Sequence, residues 1–124
     1  MSIVSNVDLI GVIVGVGSTV TVNSGDLTNP YGRGIKVMVN TTAIGTGSIT
    51  VTIQGKDQGS GQYYTILASA AIVTNVATLL SVYPGIAAVA NVSANDFLPR
   101  TYRILATANN ANPANYGIGA SVIV

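Results

Sequence analysis

Cysteine, histidine, glutamate and tryptophan are all absent from this 124-residue chain. Without cysteine there is no disulfide, no thiolate metal site and no cysteine nucleophile, and the redox compartment stays open. Without histidine the commonest general base is gone. Charge is scarce as well. Asp8, Asp26, Asp57 and Asp96 are the only acids, and Arg33, Lys36, Lys56, Arg100 and Arg103 the only bases. Charged residues make up 7% of the chain, against roughly 25% in average soluble domains. The formal charge of +1 sets up no strong field. No basic stripe of the kind that grips a nucleic-acid duplex is visible, so no nucleic-acid partner is expected.

Long apolar runs are missing too. Gly, Ser, Thr and Asn interrupt every hydrophobic stretch well short of the ~20 residues that a spanning helix needs, so no membrane partner is expected. The opening "MSIVSNVDLIGVIVGVG" lacks a basic n-region and reads as mature protein rather than a signal peptide. The length suits one domain over residues 1–124, with residues 1–8 as an extended arm.

The period that is present is two. From Val12 to Val22, valines recur at even positions, with Gly15 and Gly17 leaving room for a bend or bulge in one long run. In "GIKVMVNT", Ile35, Val37 and Val39 share a face; in "ITVTIQ", Ile49, Val51 and Ile53 do the same against Thr50, Thr52 and Gln54. "YYTILAS" (Tyr63–Ser69) is apolar on both faces, and "ATLLSVY" (Ala77–Tyr83) is stopped by Pro84 and Gly85. "TYRILATA" sets Tyr102, Ile104 and Ala106 against Arg103, Leu105 and Thr107, and the last run aligns Tyr116, Ile118, Ala120, Val122 and Val124.

Turn-forming stretches separate these runs: "NSGDLTNPYGRG", "GTGS", "GKDQGSG", "YPG", "NDFLP" and "NNANPAN". The alanine-rich segments "ASAAIVTNVATLL" and "GIAAVANVSAN" carry too much Val and Ile for helix to be preferred. The expected fold is all-β, an antiparallel β-sandwich or jelly roll of about seven or eight strands. The connection over 84–99 is long enough to be functional or to hide a short strand.

No motif points to catalysis. The aspartates are scattered among turns, so no paired-carboxylate device is expected, and no enzyme, metal or cofactor is implied. "NSGDLTN" loosely resembles a calcium loop but reads first as a turn. "GVGSTV" is not followed by Gly-Lys-Ser/Thr and lies in a strand pattern, so it is no phosphate loop. "GKDQGSG" reads as a hairpin connection with Lys56 and Asp57 solvated, or as a contact loop flanked by Tyr63 and Tyr64. In "LPRTYRI", Arg100 lies outside a strand and Arg103 one position beyond Tyr102; both suit either an interface or a sheet edge.

The stretches "VTIQGKDQGSGQYYTILASAAI", "TLLSVYPGI" and "NVSANDFLPRTYRI", with the apolar C-terminal run, resemble small virion proteins of tailed bacteriophages, of the capsid decoration or minor capsid type. The resemblance spans roughly residues 34–124; Gln58 and Tyr102 stand where that family often has Pro and Trp. It implies a structural, head-stabilising protein on the capsid surface of the virion, passing through the host cytoplasm during assembly. The partners it implies are the major capsid protein and further copies of the chain, as a homo-oligomer and commonly a trimer. In that role Arg33, Lys56, Asp57, Tyr63, Tyr64, Arg100 and Arg103, the arm and the 84–99 loop are the expected contact regions. Other readings are a tail-tube, head-fibre or head–tail connector role, and a small carbohydrate-binding module using Tyr63 and Tyr64.

Overall fold

A computed structural model of the chain describes residues 6–15, 21–29, 32–44, 47–108 and 114–123. The two-residue alternation becomes ten strands: β1 (Asn6–Gly15), β2 (Thr21–Asn23), β3 (Leu27–Thr28), β4 (Gly34–Ile44), β5 (Ile49–Lys56), β6 (Tyr63–Ala68), β7 (Ala77–Val82), β8 (Ser93–Ala94), β9 (Thr101–Ala108) and β10 (Ala114–Ile123). Three of them are only two or three residues long, which leaves seven of full length. No helix occurs among the described residues, as the β-branched content of the alanine-rich segments led us to expect.

The strands form two sheets. One runs β1-β10-β4-β7-β8; the other runs β2-β9-β5-β6, with β3 also on β9. All pairings are antiparallel except β7 with β8. β2 and β3 pair with successive parts of β9 and act as one strand interrupted at residues 24–26. Counted so, the first sheet takes strands one, eight, three and six, and the second takes two, seven, four and five. That order is the jelly roll, two interleaved Greek keys. The short β8 adds a parallel edge beyond it.

The core follows from parity. Ile35, Val37 and Val39 of β4 face Val51 and Ile53 of β5 and Ile104 and Ala106 of β9 in one buried cluster. Tyr102 and Tyr116, each 2% exposed, supply its bulk. Register keeps like with like: Val37 lies opposite Ala120 and Leu80, and Ile53 opposite Ile104. Tyr116, Ile118 and Ala120 are buried as expected and Val122 packs partly against the cluster; Val124 lies outside the described residues.

Several expectations need correction. The run from Val12 to Val22 is not one strand: β1 ends at Gly15 in one sheet and β2 begins at Thr21 in the other, with residues 16–20 outside the description. A period of two is blind to such a change of sheet. Residues 6–8 of the expected arm belong to β1, where Asn6 pairs with Ser121 and Val7 with Ala120; residues 1–5 lie outside the description. The 23–34 stretch is not all loop, since it holds β3. β6 is an edge strand in which Leu67 alone is fully buried, so "apolar on both faces" did not mean buried on both. The 84–99 connection does hide a short strand, β8.

Candidate functional site

The outward face of the second sheet carries the most organised set of polar side chains. Alternation sends Gln54 and Lys56 of β5 and Arg103 of β9 to the side opposite Ile53 and Ile104. Gln54 pairs with Arg103, and Lys56 with Tyr63 of β6, so these four side chains are cross-strand neighbours. Arg103 Nε donates to Gln54 Oε1 at 2.8 Å. The guanidinium carbon of Arg103 lies 3.5 Å from the centre of the Tyr63 ring, a stacked cation–π contact. Lys56 Nζ lies 5.5 Å from the same ring.

Asp26 completes the row from the far side of β9. The β2–β3 interruption swings it outward: Gly25 takes a positive φ of 76°, and its N–H donates to Asn23 Oδ1 at 2.9 Å. The Tyr63 hydroxyl donates to Asp26 Oδ1 at 2.5 Å, and Lys56 Nζ meets Asp26 Oδ2 at 2.9 Å. The phenol first, and the ammonium after it, hold the Asp26 carboxyl below its ordinary range. Asp26 in turn raises the Lys56 ammonium. Lys56 is therefore paired rather than merely solvated, a correction to the sequence reading. It is also the last residue of β5, so the loop itself is 57–62.

Asp57 does a local job. Its N–H donates to Gln62 O and its carbonyl accepts from Gly61 N, both at 2.8 Å, and Gly61 has φ 77°. Its carboxylate accepts from Ser60 Oγ at 2.6 Å and Ser60 N at 3.1 Å, and the Ser60 hydroxyl leads in pulling its pKa down. The two adjacent tyrosines part company, as consecutive strand residues must. Tyr63 joins the outer row, whereas Tyr64, 43% exposed, lies over Gly55 beside Pro99.

Arg33 and Arg100 sit at the same end of the sandwich, on a knot tied by buried Asn29. Asn29 Nδ2 donates to Gly32 O at 2.8 Å and Leu98 O at 3.0 Å, while its Oδ1 accepts from Gly32 N at 2.8 Å. Asn29 N donates to Arg100 O at 2.7 Å, and Leu98 N to Arg33 O at 3.0 Å. Both arginine side chains are exposed, and among the described residues neither has an ion pair.

Of the seven expected contact residues, the structure thus unites Lys56, Tyr63 and Arg103. It sets Asp57 and Tyr64 beside them, and Arg33 and Arg100 at the same end with no side-chain hydrogen bond or ion pair to the row among the described residues. Asp26, Gln54 and Asn29 were missed as site residues. Only the turn signal at 23–29 marked Asp26 and Asn29, and nothing local tied Asp26 to a lysine 30 residues away. The row bears two cations and one anion. It holds Arg103 flat and leaves the terminal guanidinium N–H groups without a partner among the described residues. Such a group suits a carboxylate or a carbonyl presented by another protein.

No family model matches the chain, and no curated protein matches it. Among solved structures, the Yersinia pseudotuberculosis-derived mitogen (YPM) is similar with a TM-score of 0.54 at 15% identity, over 97% of this chain and 87% of that one. A chain of the infectious bursal disease virus Gx strain structure is similar with a TM-score of 0.52 at 11% identity, over 96% of this chain and 29% of that one. This chain therefore spans less than a third of the viral chain. At these identities the likeness is one of fold: this chain is an all-β two-sheet sandwich of the jelly-roll type.

Proposed function

We propose that this chain is a structural virion protein of a tailed bacteriophage, a decoration protein that binds the assembled capsid as a symmetric homo-oligomer, a trimer, and does no chemistry of its own. The observation that carries the reading is the outer row of Asp26, Lys56, Tyr63, Arg103 and Gln54. It spans the sheet from the β2–β3 interruption to β6 and is ordered before any partner arrives, which lowers the entropic cost of docking. The jelly roll is also the fold likeness to a viral structure, and the sequence resemblance to phage head proteins points the same way. Binding only the assembled lattice stabilises that lattice by mass action, and many copies act together.

The carbohydrate reading is disfavoured by a specific contact: Arg103 already covers one face of the Tyr63 ring, leaving less of it for a sugar to stack on. The other virion roles differ in copy number. Decoration proteins are present in many copies per particle and connectors in few.

The test is co-sedimentation of purified protein with expanded capsids that lack it. Wild type should pellet with the particles and raise their melting temperature. Arg103→Ala should weaken binding by about tenfold or more without unfolding the chain. A chain with no affinity for capsids, or one present at connector copy number in purified virions, would remove the reading.

A further inference from the structure

From residue 58 through 95 the chain contains no Asp, Glu, Lys, Arg or His. That stretch builds β6, β7, β8 and the loops between them, so its neutrality is gathered on one flank of the sandwich. There β6 ends the second sheet and β7 and β8 end the first. Of the eight large apolar residues exposed among the described ones, six lie on this stretch: Tyr64, Val73, Val76, Leu79, Val89 and Val92, each 43–60% exposed. Val73, Val76 and Val92 rim a groove of about 350 Å³ whose lining carries no charged side chain. Its wall is held in place, because Asn91 adopts φ 63° and donates Nδ2 to the Ala68 carbonyl at 3.0 Å, at the end of β6. β6 reads YYTILA, an edge strand with no charge, proline or glycine. Soluble proteins normally guard such edges with one of these devices or cover them.

We infer that this flank is the surface through which the chain associates with a second copy of itself, the β6 edge and the valine-rimmed groove forming the contact. Charge decides the occupant. A partner bearing charges would leave each of them without a counter-charge against the groove, whose lining within residues 70–92 carries none, at a desolvation cost nothing there offsets. The flank of a second copy carries none. Area agrees with this. Val73, Val76, Leu79, Val89 and Val92, each about half exposed, supply part of the ~800 Å² per partner that a stable contact buries, and the β6 edge adds backbone to it. Neutral Thr74 and Thr78 line the groove as well. A closed trimer needs a head-to-tail contact, here the β6 edge of one copy against the valine-rimmed groove of the next.

The inference deepens the oligomeric part of the proposed function, and its test needs no capsid, so either can fail without the other. Sedimentation velocity of the isolated chain should show a species heavier than a monomer whose share grows between about 1 and 100 µM. Val73→Asp with Val92→Asp should weaken self-association by at least about tenfold, with an unchanged circular dichroism spectrum. Because the chain has no cysteine, Val92→Cys provides a single thiol for pyrene labelling. Excimer emission in the oligomer is expected, and it decides the matter if the double-aspartate variant fails to fold. A wild type that stays monomeric across that range would overturn the inference. So would an oligomer that survives the aspartates or shows no excimer. A monomer that loses capsid binding through the same substitutions would overturn it too, by giving the flank to the shell.

Discussion

Replacing Gly55 with alanine separates the two faces on which the adjacent tyrosines lie. Gly55 sits in β5 opposite Tyr102 and Tyr64. A methyl group there would stand 2.6 Å from Tyr64 Cζ and Oη and 2.7 Å from Pro99 Cγ, well inside contact distance. The glycine is not in the left-handed region, so alanine meets no backbone penalty and gains about 0.4–1 kcal/mol by restricting the unfolded chain. Against that gain stands the Tyr64 ring, whose far end must swing away. A little over half of this side chain is covered, since 43% of the residue is exposed. Uncovering roughly 100 Å² of a ring that offers about 200 Å² costs on the order of 2–3 kcal/mol at ~25 cal/mol/Å². The expected net loss is about 2 kcal/mol in the free energy of urea unfolding, with an unchanged m-value. In a Tyr64→Ala background the loss should shrink markedly but not vanish, because the ring is gone while Pro99 Cγ still lies 2.7 Å from the added methyl. Equal destabilisation in both backgrounds would refute the idea that Gly55 is there to admit Tyr64.

Asn29→Ala should cost about 2–4 kcal/mol in urea unfolding, because Gly32 N–H and the Gly32 and Leu98 carbonyls lose a partly or fully buried partner together. Thr41→Val should be neutral or stabilise by up to about 1 kcal/mol, since the buried Thr41 Oγ1 has no hydrogen-bond partner among the described residues; calorimetry showing a clear loss would point to a bond the hydroxyl does make. Melting temperature against pH should fall at both extremes. At the acid end the Asp26 carboxyl titrates below its unfolded value, so its stabilisation is complete above about pH 4 and is lost as pH drops through the lower folded value; Asp26→Asn should flatten that limb. At the alkaline end burial raises the Tyr102 and Tyr116 phenols, so the unfolded chain releases these protons first and stability declines above about pH 10.

What the sequence made legible was set by the range of the forces involved. Parity along a strand is local, and Ile35, Val37, Val39, Val51, Ile53 and Ile104 are all fully buried on the faces their spacing assigned. Turn chemistry is local too: Asp57 caps its own hairpin through Ser60, three residues ahead of the strand the chain returns to. Strand order is not local. Nothing near Val14 announces that its partner is Asn115, or that the valine run changes sheets after Gly15. The outer row shows the same divide. Arg103, Lys56 and Tyr63 stood out because charge and aromatic residues are rare here. Asp26 did not, because its value as a partner exists only after β9 has brought the β2–β3 interruption within reach of β5 and β6.

β10 fills the gap between β1 and β4 instead of lining a border. During translation β1 is therefore an orphan: its neighbour is made about a hundred residues later, a delay typical of topologies with high contact order. Until then a sticky, strand-prone segment is exposed to chaperones and to other nascent chains. A premature stop before Ala114 would not yield a trimmed domain. It would leave β1 cut off from β4, β7 and β8, a product fit only for the protease.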